Sequence, residues 1–136
     1  MADITNFTGF KIDKGFLEKT IGSALKIGDG KKIKEISLVL IGPREIKKIN
    51  SQYRRKNEVT DVLSFEGLNE IFICPSAVKK QAKRLETSFV SELMRVLIHG
   101  ILHLKGYRHE KSAKEAGKMR KKEEEILQKI NGRAKK

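Results

Sequence analysis

At 136 residues the chain is one domain's worth of sequence, and 38% apolar content, 6% aromatic content and no Trp allow one modest, mostly aliphatic core. Thirty Lys+Arg against seventeen Asp+Glu leave a formal charge of +13, which favours an anionic partner such as nucleic acid. No apolar run approaches the roughly 18 residues of a bilayer span and the lone cysteine, Cys74, has no internal partner, which excludes membrane-spanning proteins, disulfide scaffolds, collagens and long coiled coils.

In chain order, Ile4–Phe7 reads as a short strand, and Phe16, Leu17, Ile21 and Leu25 recur at helical spacing. The β-rich run Ile36–Ile41 reads as a buried strand. Pro43 opens a basic amphipathic helix reaching about Arg54, with Ile46 and Ile49 inward. Strands follow near Asp61–Phe65 and Ile71–Cys74, joined by a loop at Gly67 and Asn69. Pro75 opens a helix to Leu85. The segment Ser88–Leu104 is apolar on most faces, so it predicts a central, buried helix. Ser112–Ile130 predicts a closing helix with a stripe of Ala113, Ala116, Met119, Ile126, Leu127 and Ile130, and 131–136 a frayed tail. With no linker or repeat, residues 1–136 predict a single α+β domain: a small mixed sheet with helices packed on it.

Positive charge clusters three times: a net +5 over residues 44–56, a net +6 over residues 108–136, and Lys79, Lys80, Lys83 and Arg84 between them. The opening Met-Ala-Asp-Ile-Thr-Asn-Phe lacks the basic and apolar regions of a secretory signal, and a cytoplasmic location is expected.

All three histidines fall within His99-Gly100-Ile101-Leu102-His103-Leu104-Lys105-Gly106-Tyr107-Arg108-His109. Positions four apart on a helix differ by about 40° and one turn of rise, so His99 and His103 share a face and can grip one ion. His109 could not join them on a continuing helix. Gly106 accepts the left-handed conformation that ends helices, which lets the chain fold a third imidazole over the ion. Three neutral imidazoles leave a fourth tetrahedral position for water, the pattern of a catalytic zinc. Zinc peptidases place a glutamate after the first histidine as general base, but here Gly100 stands there.

From His99 to His109 the sequence resembles the signature H-G-x-L-H-L-x-G-Y-D-H of the YbeY family of endoribonucleases, also described as ribosomal RNA maturation factors, with Arg108 in place of Asp. Tyr53-Arg54 followed by Thr60-Asp61-Val62-Leu63-Ser64-Phe65 is similar to the family's Y-R-x-K-x-x-x-T-D-V-L-S-F block, and Met119 with Glu124-Glu125-Ile126-Leu127 to its closing helix. Asn69-Glu70 departs from the Gly-Asp that family members often carry before the next strand.

The resemblance implies one YbeY-like, metal-dependent hydrolase domain whose cleft holds a single Zn2+ on His99, His103 and His109. It further implies cleavage of single-stranded RNA, chiefly in maturation of small-subunit ribosomal RNA and in ribosome quality control. Arg54 falls at the family's arginine position and is expected to stabilise charge at phosphorus. Arg55, Lys56 and Arg108 are candidate RNA contacts, with Arg108 pointing outward. Ribosomal subunits or ribosomal proteins are further candidate partners, whereas a membrane and DNA are not expected. Asp61 is either an orienting carboxylate or an ordinary strand-start residue, and Ser64 a strand residue. Cys74 is a core residue rather than a fourth ligand, and Tyr107 packs against the metal loop. Two other classes compete: a ribosome-assembly factor that binds RNA around a structural zinc, and a zinc hydrolase of another substrate.

Overall fold

The computed structural model describes residues 2–26, 32–107 and 113–134, the last four of these as backbone only. Strands β1 (Ala2–Asn6), β2 (Ile36–Leu40), β3 (Val62–Phe65) and β4 (Glu70–Ile73) form one sheet in the order β1-β2-β4-β3. β1 and β4 both run parallel to β2, and β3 is antiparallel to β4. The helices are α1 (Lys14–Lys26), α2 (Pro43–Arg54), α3 (Pro75–Arg84), α4 (Phe89–Leu104) and α5 (Ala113–Ala134). The expected single-domain α+β fold with a mixed sheet is what forms. No described helix is long and apolar enough to cross a membrane.

Side chains alternate across a strand, so each strand serves two faces. On one face Ile36, Leu38, Leu40, Ile71 and Ile73 meet Leu17 and Ile21 of α1 and Leu93, Leu97, Ile98 and Ile101 of α4, all at most 1% exposed. Full burial of such a side chain contributes about 1.5–3 kcal/mol. On the opposite face Ile46 of α2 packs with Ile41, Leu63 and Cys74 in a smaller cluster edged by Val39, Phe65 and Phe72. α4 touches α1, α3, α5, β3 and β4, which makes it the central helix that its all-round apolarity predicts.

Proline opens both α2 and α3, where its missing N–H costs nothing. Ser88 caps α4, its Oγ accepting from the Ser91 N–H at 3.0 Å. The end of α4 is a Schellman turn: Tyr107 N–H donates to the Leu102 carbonyl and Gly106 N–H to that of His103, both at 3.0 Å, with Gly106 at φ 101°. That is the glycine turn expected from the motif. Tyr107 beyond it packs on the larger core.

Several boundaries differ from expectation. β1 lies at Ala2–Asn6 rather than Ile4–Phe7, because parallel pairing of Ala2 with Ile36 through Asn6 with Leu40 sets its register. The loop near Gly67 is a single 3-10 turn, Glu66–Leu68, closed by Asn69 at φ 50° and ψ 44°. Asparagine tolerates this left-handed conformation better than other residues with a side chain, so Asn69 suits the position that closes the turn. The backbone of α5 stays helical to Ala134, running past the expected end at Ile130 into the 131–136 tail: no proline interrupts the segment, and helix propagation needs only one further bond per residue. The rest of that tail lies outside the described residues.

Candidate active site

Three elements wall a cleft of about 300 Å3, lined by Arg54 of α2, Val62 to Ser64 of β3 with Asp61 and Glu66 at its two ends, and Arg95, Val96, His99 and His103 of α4. α4 can lie this close to β3 because position 100 has no side chain. A Cβ on Gly100 would sit 3.1 Å from Ser64 Oγ and 3.3 Å from Val62 Cγ2, and Ser64 Oγ donates to the Gly100 carbonyl at 3.2 Å. Position 100 therefore faces the sheet, not the cleft, and a glutamate there would not point at a substrate.

His99 and His103 turn their Nε2 atoms toward each other at 3.2 Å. Two nitrogens bound tetrahedrally at 2.0–2.1 Å from one zinc lie about 3.3 Å apart, so the pair fits a common zinc ion. Behind His99, Glu123 of α5 lies 2.5 Å from Nδ1. A carboxylate accepting from Nδ1–H orients the ring and directs Nε2 toward His103, the arrangement by which a histidine grips a metal through Nε2. Among the described residues no group of three His, Cys, Asp or Glu could hold a metal ion. The candidate ligand His109 and the candidate RNA contact Arg108 lie outside the described residues.

Arg54 enters from the C-terminal turn of α2. Its Nη2 donates to the Ser64 carbonyl at 2.7 Å, and its guanidinium carbon lies 5.7 Å from the centre of the Phe65 ring. The next residue, Arg55, leaves the helix at φ 58°. Arg55 and Lys56 are exposed and lie outside the cleft lining, so of the basic trio only Arg54 is brought to the histidines. Asp61 does line the cleft; its Oδ2 accepts from Gln81 Nε2 of α3 at 3.2 Å. Ser64 is the strand residue expected. Cys74 is fully buried in the smaller cluster and away from the cleft lining, as a core residue should be.

Sequence reasoning missed Glu123 and Arg95. Both left a signal. Glu123 sits between the buried Met119 and Ile126 at helical spacing, a charge inside an apolar stripe. Arg95 precedes His99 by four residues and so shares its face. Arg95 is tied to Glu92, itself only 2% exposed, by Nε to Oε1 at 3.0 Å and Nη2 to Oε2 at 2.5 Å; Gln81 also donates to Glu92 Oε2.

Burial alone would push the Glu92 carboxyl up, but hydrogen bonds from Arg95 and Gln81 and the charges of Arg95 and Arg84 outweigh it and hold the carboxyl below its ordinary value. A carboxylate with a lower pKa in the folded than in the unfolded chain contributes stability above the unfolded value, and that contribution is lost as pH falls through the folded one. The chain is therefore expected to lose stability from about pH 4.5 downward. Glu92→Gln should flatten that part of the acid limb, which urea midpoints between about pH 6 and about pH 3 would measure.

Fold and cleft together define a class: small α+β domains whose central helix offers a His-x-x-x-His pair to an arginine-bearing cleft. The family model described as Endoribonuclease YbeY matches residues 3–131, and the chain belongs to that family. A Thermodesulfovibrio yellowstonii protein named Endoribonuclease YbeY is 49% identical over 102 residues, an alignment spanning 68% of this chain and 64% of that protein. A Phytoplasma australiense protein of the same name is 37% identical across 94% of both chains. A solution structure of a Thermotoga maritima protein superposes with a TM-score of 0.66 at 30% identity, covering 99% of this chain and 92% of that one.

Proposed function

We propose that the chain is a zinc-dependent endoribonuclease that cuts single-stranded RNA, with small-subunit ribosomal RNA as its substrate and roles in rRNA maturation and ribosome quality control, in the cytoplasm. The observation that carries this reading is the pair of Nε2 atoms 3.2 Å apart, backed by Glu123, in the same cleft as Arg54. Relatives named Endoribonuclease YbeY support the reaction class. His99 and His103 would hold the zinc, with His109 as third ligand from the sequence motif. When bound, the metal supplies Lewis acidity to the phosphodiester or to the attacking oxygen.

The chain's own part is to grip and to balance charge. Arg54 is steadied on one edge by the Ser64 carbonyl and Phe65, which leaves other guanidinium N–H groups for non-bridging phosphate oxygens. As negative charge builds at phosphorus, that fixed cation stabilises it without reorganising. Exposed Arg55 and Lys56 extend the positive surface toward neighbouring phosphates, and Arg108 is proposed to add another contact. The Tyr53 ring, 66% exposed and edge-on to Phe65, offers a stacking face to an unpaired base beside Arg54.

Metal analysis of freshly purified protein, paired with cleavage of single- and double-stranded RNA, tests the reading. About one zinc per chain and cutting confined to single strands is the expected result; metal-independent cutting, or none, overturns it. Glu123→Ala is expected to weaken zinc binding about 10–100-fold, read by competition with a chromophoric chelator. Unchanged affinity would show that Glu123 does not orient His99.

A further inference from the structure

We propose that Arg95 is a second phosphate-contacting residue of the cleft, held ready for the RNA backbone by Glu92, Gln81 and Asp61. This rests on the ribonuclease reading and assigns that site a second arginine. The side chain comes from α4, one turn before His99, whereas Arg54 comes from α2. Each guanidinium is fixed along one edge, Arg54 by the Ser64 carbonyl and Arg95 by Glu92. A guanidinium carries five donors in a rigid fork, and Glu92 takes only the edge formed by Nε and Nη2. The Arg95 side chain stays 42% exposed while that of Glu92 is 3% exposed, so the cation faces solvent and its counter-charge lies behind it.

A surface pair three residues apart on a helix is worth little and needs no scaffold. Here the carboxylate is desolvated, which is costly unless its oxygens are satisfied. Gln81 of α3 satisfies Glu92 Oε2 and reaches Asp61 Oδ2 at 3.2 Å. Three elements thus fix the position of one cation at the cleft wall. An in-chain phosphodiester shares one negative charge over two non-bridging oxygens, a planar pair of acceptors that suits such a preset fork.

The test is binding of a fluorescent single-stranded RNA across a salt series in the folded His103→Ala background, where cutting does not interfere. Arg95→Gln is expected to weaken binding about tenfold and to lower the slope of log affinity against log salt by about 0.7, the value for one phosphate contact on a single strand. Arg95→Lys should restore the slope. In the otherwise unaltered chain, Glu92→Gln should leave the salt slope of KM in place yet lower kcat, since it loosens the fork without removing its charge. Where Arg95→Gln fails to fold, Glu92→Gln/Arg95→Gln removes the buried carboxylate together with its partner and carries the same expectation. Unchanged affinity and slope in a folded variant overturn the proposal and leave Arg95 as a helix ion pair. A parent chain that never cuts RNA but shows the Arg95-dependent slope overturns the ribonuclease reading instead, and one that binds no RNA overturns both.

Discussion

His103→Ala is expected to lower RNA cleavage by about a thousandfold or more while the protein stays folded and keeps most of its RNA affinity. The side chain is partly exposed and alanine is the best helix former, so α4 loses no essential packing. RNA affinity is carried mainly by contacts between arginine or lysine and phosphate, which the substitution leaves in place. What disappears is one of the two nitrogens facing each other across 3.2 Å, and zinc content should fall with it. Cleavage at the parent rate by the folded, metal-free variant would remove the histidines from the chemistry.

The second large effect is expected at Gly100. A glutamate there would have to enter the contact between α4 and β3, where even a Cβ meets Ser64 Oγ at 3.1 Å, Val62 Cγ2 at 3.3 Å and Ile71 Cδ1 at 3.5 Å. The added carbons overpack the contact and the carboxylate is stranded beside apolar groups, a combined cost of about 3 kcal/mol or more. Gly100→Ala makes the contrast: helix propensity returns about 1 kcal/mol and the squeeze takes about 1–3 kcal/mol, for a small net loss. Urea midpoints separate the two variants. If Gly100→Glu were as stable as the parent, α4 could not lie on β3 as described. No peptide hydrolysis is expected from it, because the new carboxylate faces the sheet.

Local signals in the chain carried much of this arrangement. Pro43, Pro75 and Ser88 mark helix starts by chemistry that acts within a turn, and Gly106 marks an end the same way. Strand order is a different matter. That β4 lies between β2 and β3 depends on which strands pair across a crossover, and no dipeptide encodes that. The His99–His103 pair was legible because four-residue spacing alone puts both on one face. Glu92 and Arg95 belong to the same stripe, at positions i, i+3, i+7 and i+11 with the histidines, but so many apolar residues surround them that the segment reads first as core. Glu123 was harder, since its partner lies 24 residues away and meets it only when α5 docks through Met119 and Ile126.

The bond between His99 and Glu123 has a temporal side. Synthesis runs from the first residue to the last, so α4 with its imidazole pair leaves the ribosome before Glu123 does. A nascent chain carries the paired histidines before the carboxylate that meets His99 Nδ1 has been made. The contact that orients His99 is therefore among the last of the site to form, and it waits on the docking of α5 through Met119 and Ile126.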